Sequence, residues 1–423
     1  MQEPFKWDNH SDQPYQLKDK QFKTQMRKKE LLSLVKTFST ALVMIPIALV
    51  SMPFIKRKEV KAKNFFSIGV DYQREPEKTL ELLDELGVQR ILLRFKLWEM
   101  DSLDRLKAFI LKNSNRKIIL KIIQDRENIE DLELLKNNLR TIFLELNALI
   151  DIYEIGSTIN RAKWGFFSVR EYNQFYKVAY TLKKEEFTDI KLIGSGVIDF
   201  EYHYTAHTLF NFENYKYDGT SALLYVDRRG APENTQLGFN ISDKLALLST
   251  MVWMSSKTKH SLHITETNWP ISKTAPYAPT SEYECVSEEL YADYMLRYYL
   301  LTFASQQVDS LSWHQLIARG YGLVDNIDGF RKRSAFYTFK YMLQILNNAQ
   351  FLRLDIKRDY YILQFLTNNK VLQIHWSLKE TTLKNEEFFD VFDMNGKPIK
   401  DKTLEIGSSP IYIYIKEEEK EEK

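Results

Sequence analysis

Eight short apolar runs, most of them followed by a stretch of helical spacing, constrain this chain more than any other feature. The runs are FFSIGVDY (Phe65–Tyr72), RILLRF (Arg90–Phe95), KIILKII (Lys117–Ile123), IYEIG (Ile152–Gly156), KLIGSGV (Lys191–Val197), SALLYV (Ser221–Val226), SLHITE (Ser261–Glu266) and SLSWHQL (Ser310–Leu316). Helical spacing covers Glu77–Leu86, Leu103–Lys112, Asn128–Asn147, Val169–Glu186, Ile241–Ser255, Tyr283–Ser305 and Ser334–Asn347. Continuous apolar strands of this length belong to a parallel sheet whose outer face is covered by helices. Eight units over about 280 residues predict an α/β fold, a closed (β/α)8 TIM barrel, for which ~250 residues is typical. An open doubly wound sheet is the alternative. It is disfavoured because no glycine-rich phosphate loop follows the first strand.

The texture differs on either side of the predicted barrel (residues 64–347). Residues 348–416 hold short β-branched and aromatic runs, FLRLDI, YYILQFL, VLQIHWSL, FFDVFDM and IYIYI, broken by turns such as Asn368-Asn369. They predict a small antiparallel β-domain, a sheet or sandwich. Residues 417–423 are a charge run expected to be solvated. At the other end, residues 31–55 include 18 uncharged positions from Phe38 to Ile55, which predicts a membrane span. A single-pass protein of the cell membrane follows. The basic flanks (Arg27, Lys28, Lys29 and Lys36 against Lys56, Arg57, Lys58, Lys61 and Lys63) nearly cancel, so the side on which the barrel lies is undecided. Residues 1–30 are polar and mixed in charge, and are expected to be poorly ordered.

Composition narrows the function. Cys285 is the only cysteine, which excludes a disulfide scaffold and a multi-cysteine zinc site. With 59 basic and 57 acidic residues the chain lacks the charge footprint of a nucleic-acid binder. No cofactor motif is present. His203 and His207 stand four apart, but in a stretch that reads as loop, so no metal is expected there.

In such a barrel the chemistry lies at the C-terminal ends of the strands. The polar residues just past each run are Asp71 and Tyr72; Arg94 and Trp98; Gln124 and Asp125; Ser157, Thr158, Asn160 and Arg161; Asp199, Glu201 and His203; Tyr225, Asp227 and Arg228; Glu266, Asn268 and Trp269; and Trp313, His314 and Gln315. A mouth of carboxylates, aromatics and amides suits a carbohydrate better than a phosphate or an apolar ligand. Arg228, Arg229, Arg319, Arg331 and Arg333 leave open an anionic substrate such as a uronic acid or a phosphorylated sugar, or are ordinary surface charges.

One segment is specific. SLHITETNWP (Ser261–Pro270) resembles the seventh strand of clan-A glycoside hydrolases, retaining enzymes on (β/α)8 barrels. The resemblance implies that Glu266 stands at the catalytic nucleophile's place. It implies that Arg94 and Tyr225 stand beside it, and that Trp313 is a sugar platform, with Trp164, Trp269, Asn160, Asn268 and His203 as further sugar contacts. The fourth strand departs from the pattern. The family ends it with Asn-Glu, where the Glu is the acid/base; here IYEIGSTINR puts Ser157-Thr158 at that place. Retaining hydrolysis needs two carboxyl groups ~5–5.5 Å apart. Glu154, four residues earlier and deeper in the wall, is not a simple replacement. Three readings follow. Another carboxylate supplies the acid: Asp227 or Glu233 from the loop YVDRRGAPEN, or else Asp199, Glu201 or Asp71. Or the barrel binds glycan without cutting it. Or it is a structural member of a membrane-bound surface-polysaccharide assembly.

Overall fold

The computed structural model describes residues 4–55, 58–385 and 389–415, so the predicted charged tail and Lys56 and Arg57 of the basic flank lie outside it. Two strands, β1 (Trp7–Asp8) and β2 (Gln13–Pro14), form a hairpin, followed by helices α1 (Lys20–Lys29) and α2 (Leu31–Ser51). After the one-turn helix α3 (Ala62–Phe65) comes a closed barrel of eight parallel strands. These are β3 (Phe66–Val70), β4 (Arg90–Lys96), β5 (Lys117–Ile123), β6 (Ile152–Ile155), β7 (Leu192–Ile198), β8 (Gly219–Leu223), β9 (Leu262–Thr267) and β10 (Ser310–Trp313), with β10 closing on β3. The predicted (β/α)8 barrel is therefore present.

The covering helices are α4 (Pro76–Leu86), α5 (Leu103–Lys112), α6 (Arg126–Glu130), α7 (Leu132–Leu146), α8 (Val169–Glu185), α9 (Tyr202–Leu209), α10 (Ile241–Met254), α11 (Glu288–Ala304) and α12 (Ser334–Leu346). The single helix expected over Asn128–Asn147 is two. Asp131 breaks it, because its carboxylate caps α7 by accepting from the Glu133 and Leu134 N–H groups. Strand β8 lies earlier than the apolar run SALLYV suggested, since Gly219 and Thr220 already pair with β7. Alternate strand residues split the core. Ile91, Leu93, Ile118, Leu120, Tyr153 and their like pack under the helices, while Leu92, Ile119, Ile152 and Ile193 form a separate layer inside the barrel.

Beyond a short pair, β11 (Val324–Asp325) with β12 (Arg331–Lys332), the chain builds the predicted β-domain. Its strands are β13 (Gln350–Lys357), β14 (Tyr360–Thr367), β15 (Lys370–Ser377), β16 (Thr381–Lys384), β17 (Phe389–Phe392), β18 (Pro398–Ile399), β19 (Thr403–Ile406) and β20 (Ile411–Ile415). Six form one antiparallel sheet in the order β13-β14-β15-β20-β17-β18; β16 and β19 pair separately. Asn368 and Asn369 both take positive φ, 48° and 60°, as a two-residue hairpin turn requires.

The N-terminal region corrects two expectations. Residues 4–30 are folded, because their aromatic and charged side chains find partners on the barrel. Phe5, Leu17, Met26 and Phe167 form a small apolar cluster of their own. His203 and His207 lie on a helix, α9, rather than in a loop. That segment has no strong amphipathic pattern, and α2 packs along it. The His203 ring stacks on Phe38 at 5.2 Å, and His207 Nδ1 is 2.8 Å from the Thr37 hydroxyl. His203 is thus a contact of α2, not part of the mouth.

Helix α2 is long and apolar enough to cross a membrane, by length and composition. It lies against the barrel through small residues, Ser33, Thr37, Ala41 and Ala48, while Leu32, Leu42, Val43, Val50 and other large apolar side chains are exposed. Its first turn is anchored where the Glu30 carboxylate accepts from Arg170 and from the Ser168 hydroxyl.

Candidate functional site in the barrel mouth

On β4 the inward residues of the pleat are Arg90, Leu92, Arg94 and Lys96, so Arg94 and Lys96 rise into the mouth. On β5 the inward set contains Lys121, and on β6 Glu154. Strand β9 carries a bulge. Ala222 and Leu223 of β8 are consecutive but pair with Ile264 and Glu266, so one extra residue is inserted. The bulge lets Thr265 and Glu266 both reach the interior: the Thr265 hydroxyl donates to Glu154 Oε1 at 2.8 Å, and Glu266 Oε1 accepts from the Tyr225 hydroxyl at 2.8 Å.

Lys121 is fully buried and lies between two carboxylates, its Nζ 3.4 Å from Glu266 Oε2 and 3.5 Å from Glu154 Oε2. Burial acts to raise the Glu266 carboxyl, but the charge of Lys121, that of His314 once acid protonates it, the charge of Arg94 and the Tyr225 hydrogen bond outweigh it and hold it at about 2. Glu266 is therefore ionised, with its side chain 13% exposed at the floor of the mouth. Glu154 goes the other way. Burial dominates and raises its carboxyl, and it is sealed from the mouth at 0% exposure. His314 Nε2 lies 3.5 Å from Arg94, and burial lowers that imidazole to about 4, so it is neutral near pH 7.

The other predicted residues divide. Trp164 lies in the mouth, with the Arg94 guanidinium 5.7 Å from its ring centroid. Tyr225 is there too, beneath the Arg229 guanidinium at 3.8 Å. Asn160 is tied to the β7 loop through Ile198 and Glu201, and Asn268 donates to the His314 carbonyl at 2.6 Å, so both amides brace the mouth. Trp269 and Trp313 do not face it. They stack on each other at 5.7 Å, both wholly buried, and the Trp313 indole donates to Tyr291 of α11. They are core, because the side chain of the last β10 residue points outward to the helices. Glu233 is not in the mouth either: it is buried against Arg297 and accepts from the Trp376 indole of the β-domain at 3.0 Å. Asp227 is exposed at the rim, where its charge acts on Lys244 of α10. Asp199 and Glu201 are engaged by Arg161. Arg331 and Arg333 are engaged by Glu288 and Asp325. Asp71 is in the mouth, its carboxyl raised by burial and by the Asp12 charge. Ser157 and Thr158, at the place of the family acid, are buried and 3.3 Å apart through their hydroxyls.

Sequence reasoning missed Lys121 and the N-terminal hairpin. A lysine inside the apolar run KIILKII was a usable signal, since lysine is almost never fully buried without a partner. The hairpin sits in the mouth. Trp7 packs on Trp98 at 5.2 Å and edge-on to Trp164 at 5.6 Å. Asp12 Oδ2 accepts from Arg94 at 2.9 Å. The space left among Asp12, Asp71, Arg94, Lys96 and Glu99 is a cavity of about 10 Å³. Among the described residues no group of three or more His, Cys, Asp or Glu side chains is arranged to hold a metal.

No family model and no curated protein matches the chain. Solved structures do. A family 39 glycoside hydrolase from the gut symbiont Bacteroides cellulosilyticus WH2 superposes with a TM-score of 0.67 at 15% identity, over 85% of this chain and 82% of that one. A family 39 β-xylosidase from Caulobacter crescentus gives 0.56 at 11% identity, over 86% and 98%. A family 51 arabinofuranosidase from Xanthomonas axonopodis pv. citri gives 0.54 at 11% identity, over 85% and 97%. Each likeness covers 85–86% of this chain, and the chain has the fold of the clan-A glycoside hydrolases.

Proposed function

We propose that this protein is a carbohydrate-binding barrel of glycosidase architecture that holds a glycan over Glu266 without cleaving it by the retaining route. The observation that carries this reading is the pairing of an ionised, doubly held Glu266 with buried Ser157 and Thr158 where the proton donor would stand. A carboxylate fixed by Tyr225 and Lys121 is a good acceptor for sugar hydroxyls. Glycosidic cleavage also needs an acid at the leaving oxygen, and neither hydroxyl replaces a carboxylic acid. The second carboxylate beside Lys121, Glu154, is beneath the floor and out of reach of a ligand.

A hydrolytic reading has one observation in its favour. Asp71 is a carboxyl with a raised pKa in the mouth, as a general acid requires. Calorimetric titration of the full chain with neutral and acidic oligosaccharides, alongside assay of new reducing ends, decides between the two. The binding reading expects heat of binding, weakened by Glu266→Gln, and no cleavage. Reducing ends that vanish in both Glu266→Gln and Asp71→Asn would establish the hydrolase instead.

Membrane association through α2 belongs to the same proposal. Its exposed Leu32, Leu42, Val43 and Val50 would meet lipid. Replacing Leu42 and Val50 by serine should release the protein from vesicles in flotation; unchanged flotation would count against it.

A further inference from the structure

The hairpin in the mouth is held as a ligand is held. Its contacts run to strand β4 and to the loops after β3, β6, β9 and β10: Arg74 donates to the Asn9 carbonyl, Arg94 to Asp12, Lys163 to the Gln13 side chain, Gln13 to the Pro279 carbonyl, and the Tyr321 hydroxyl to the Ser11 carbonyl. A flat ring, Trp7, lies between two tryptophans of the barrel, with Lys96 4.9 Å from its centroid. The Trp7 indole donates to Asp12 Oδ1 at 3.2 Å, so ring and carboxylate form one unit. That unit has the outline of a pyranose carrying a carboxylate. Aromatic faces stack on sugars, and a guanidinium beside a lysine reads a carboxylate.

The fit is incomplete, and the gap is informative. Asp12 takes Nη1 of Arg94, and its carbonyl oxygen lies 3.3 Å from Nη1 and Nη2. Nε of Arg94 is buried without a hydrogen-bond partner, on a side chain that is 9% exposed. A buried donor left unmade is costly, and a carboxylate that takes the guanidinium edge in bidentate fashion satisfies it. Asp12 itself sits at a φ of 50°, a left-handed conformation that non-glycine residues rarely adopt.

We infer that residues 7–14 are an intramolecular stand-in for the ligand, and that Arg94 and Lys96 form a subsite for the carboxylate of an acidic, uronate-bearing glycan that displaces them. This inference rests on the glycan-binding reading of the same mouth.

The test uses the full chain labelled with 5-fluorotryptophan, with oligogalacturonate hexamer and xylohexaose as probes. Fluorine NMR follows Trp7, assigned from Trp7→Phe. The acidic hexamer should move the Trp7 signal to that of a solvent-exposed indole, and xylohexaose should not. Asp12→Asn, which removes the competing charge with little change of shape, should tighten oligogalacturonate about tenfold, because less of the mouth is blocked. Lys96→Gln, in the Asp12→Asn background, should abolish the preference for the acidic probe. A Trp7 signal unmoved at saturation, or an Asp12→Asn variant no tighter than the wild type, overturns the inference. If xylohexaose binds and oligogalacturonate does not, the inference falls while the glycan-binding reading stands. If neither probe binds wild type or variant, both fall.

Discussion

The ammonium of Lys121, fully buried, lies 3.4 Å from the carboxylate of Glu266 at the floor of the mouth. One buried cation there serves two carboxylates, and the floor's charge balance depends on it. Lys121→Met should destabilise the fold by ~3–5 kcal/mol, the usual cost of stranding a buried charge. Chemical denaturation checks this. Adding Glu154→Gln should recover part of the loss, since one stranded carboxylate is then removed.

Acid should destabilise the protein through two sets of groups. Burial lowers His263, His314 and His375 to about 4, from an ordinary 6.5. Between pH 6.5 and 4 the unfolded chain therefore binds protons that the folded chain does not, and stability falls as pH drops. The limiting slope is ~1.4 kcal/mol per pH unit for each histidine. Glu266, held at about 2 rather than 4.5, adds a further loss as pH falls from 4.5 towards 2. Urea midpoints measured from pH 8 to 3 should be level down to about pH 6.5 and decline below it; a midpoint flat between 6.5 and 4 would contradict the histidine assignments.

The Trp269–Trp313 stack should matter to stability and not to ligand. Trp313→Ala should cost ~3–5 kcal/mol, as truncation of a buried aromatic does. Trp313→Phe should leave oligosaccharide affinity within about twofold of wild type, since a buried ring contributes no area to the mouth. A large loss of affinity in Trp313→Phe with normal stability would mean that the ring reaches the ligand.

Glu233 should couple the two domains. Its carboxylate meets Arg297 of α11 and the indole of Trp376 on β15, both buried. Glu233→Ala leaves the guanidinium without its counter-ion and should lower stability by about 2–5 kcal/mol. Proteolysis should then cut first around the β-domain, detected by mass spectrometry of the fragments.

The inward face of α2 should not tolerate bulk. Ala48 is fully buried against the barrel, and Ala48→Leu should cost ~1–3 kcal/mol by overpacking. Ala→Leu changes on a helix free of the barrel would leave the melting temperature unmoved.

The barrel was readable because its signal is local. The run KIILKII and the helix Leu103–Lys112 both have the bounds that the apolar pattern predicted. The place of Glu266 in the mouth was readable because its neighbours in sequence carry the motif. What escaped depends on residues far apart in the chain. Trp313 ends β10 and Trp269 follows β9, where sugar platforms stand, yet which way such a side chain turns is fixed by a bulge and by the helix behind it. Glu233 sits in a loop dense with polar residues, and its role depends on Arg297 and Trp376. The hairpin around Asp12 has no apolar period at all. Its order comes from side chains far along the chain, from Arg94, 82 positions from Asp12, to the Tyr321 hydroxyl, 310 positions from Ser11.

The hairpin also has a short tether. Residues 15–19 join it to α1, which is docked on the barrel through Met26, and α2 follows with Glu30 held by Arg170. A segment so tied cannot diffuse away when displaced; over so short a link its effective concentration at the mouth is roughly millimolar. A soluble sugar present at micromolar levels must therefore outbind it intrinsically by orders of magnitude to win the site. A glycan that is itself polymeric or surface-bound, presenting many copies at once, meets the hairpin on equal terms. On the displacement proposed above, the length of those five residues would set how dense an array of ligand the mouth responds to.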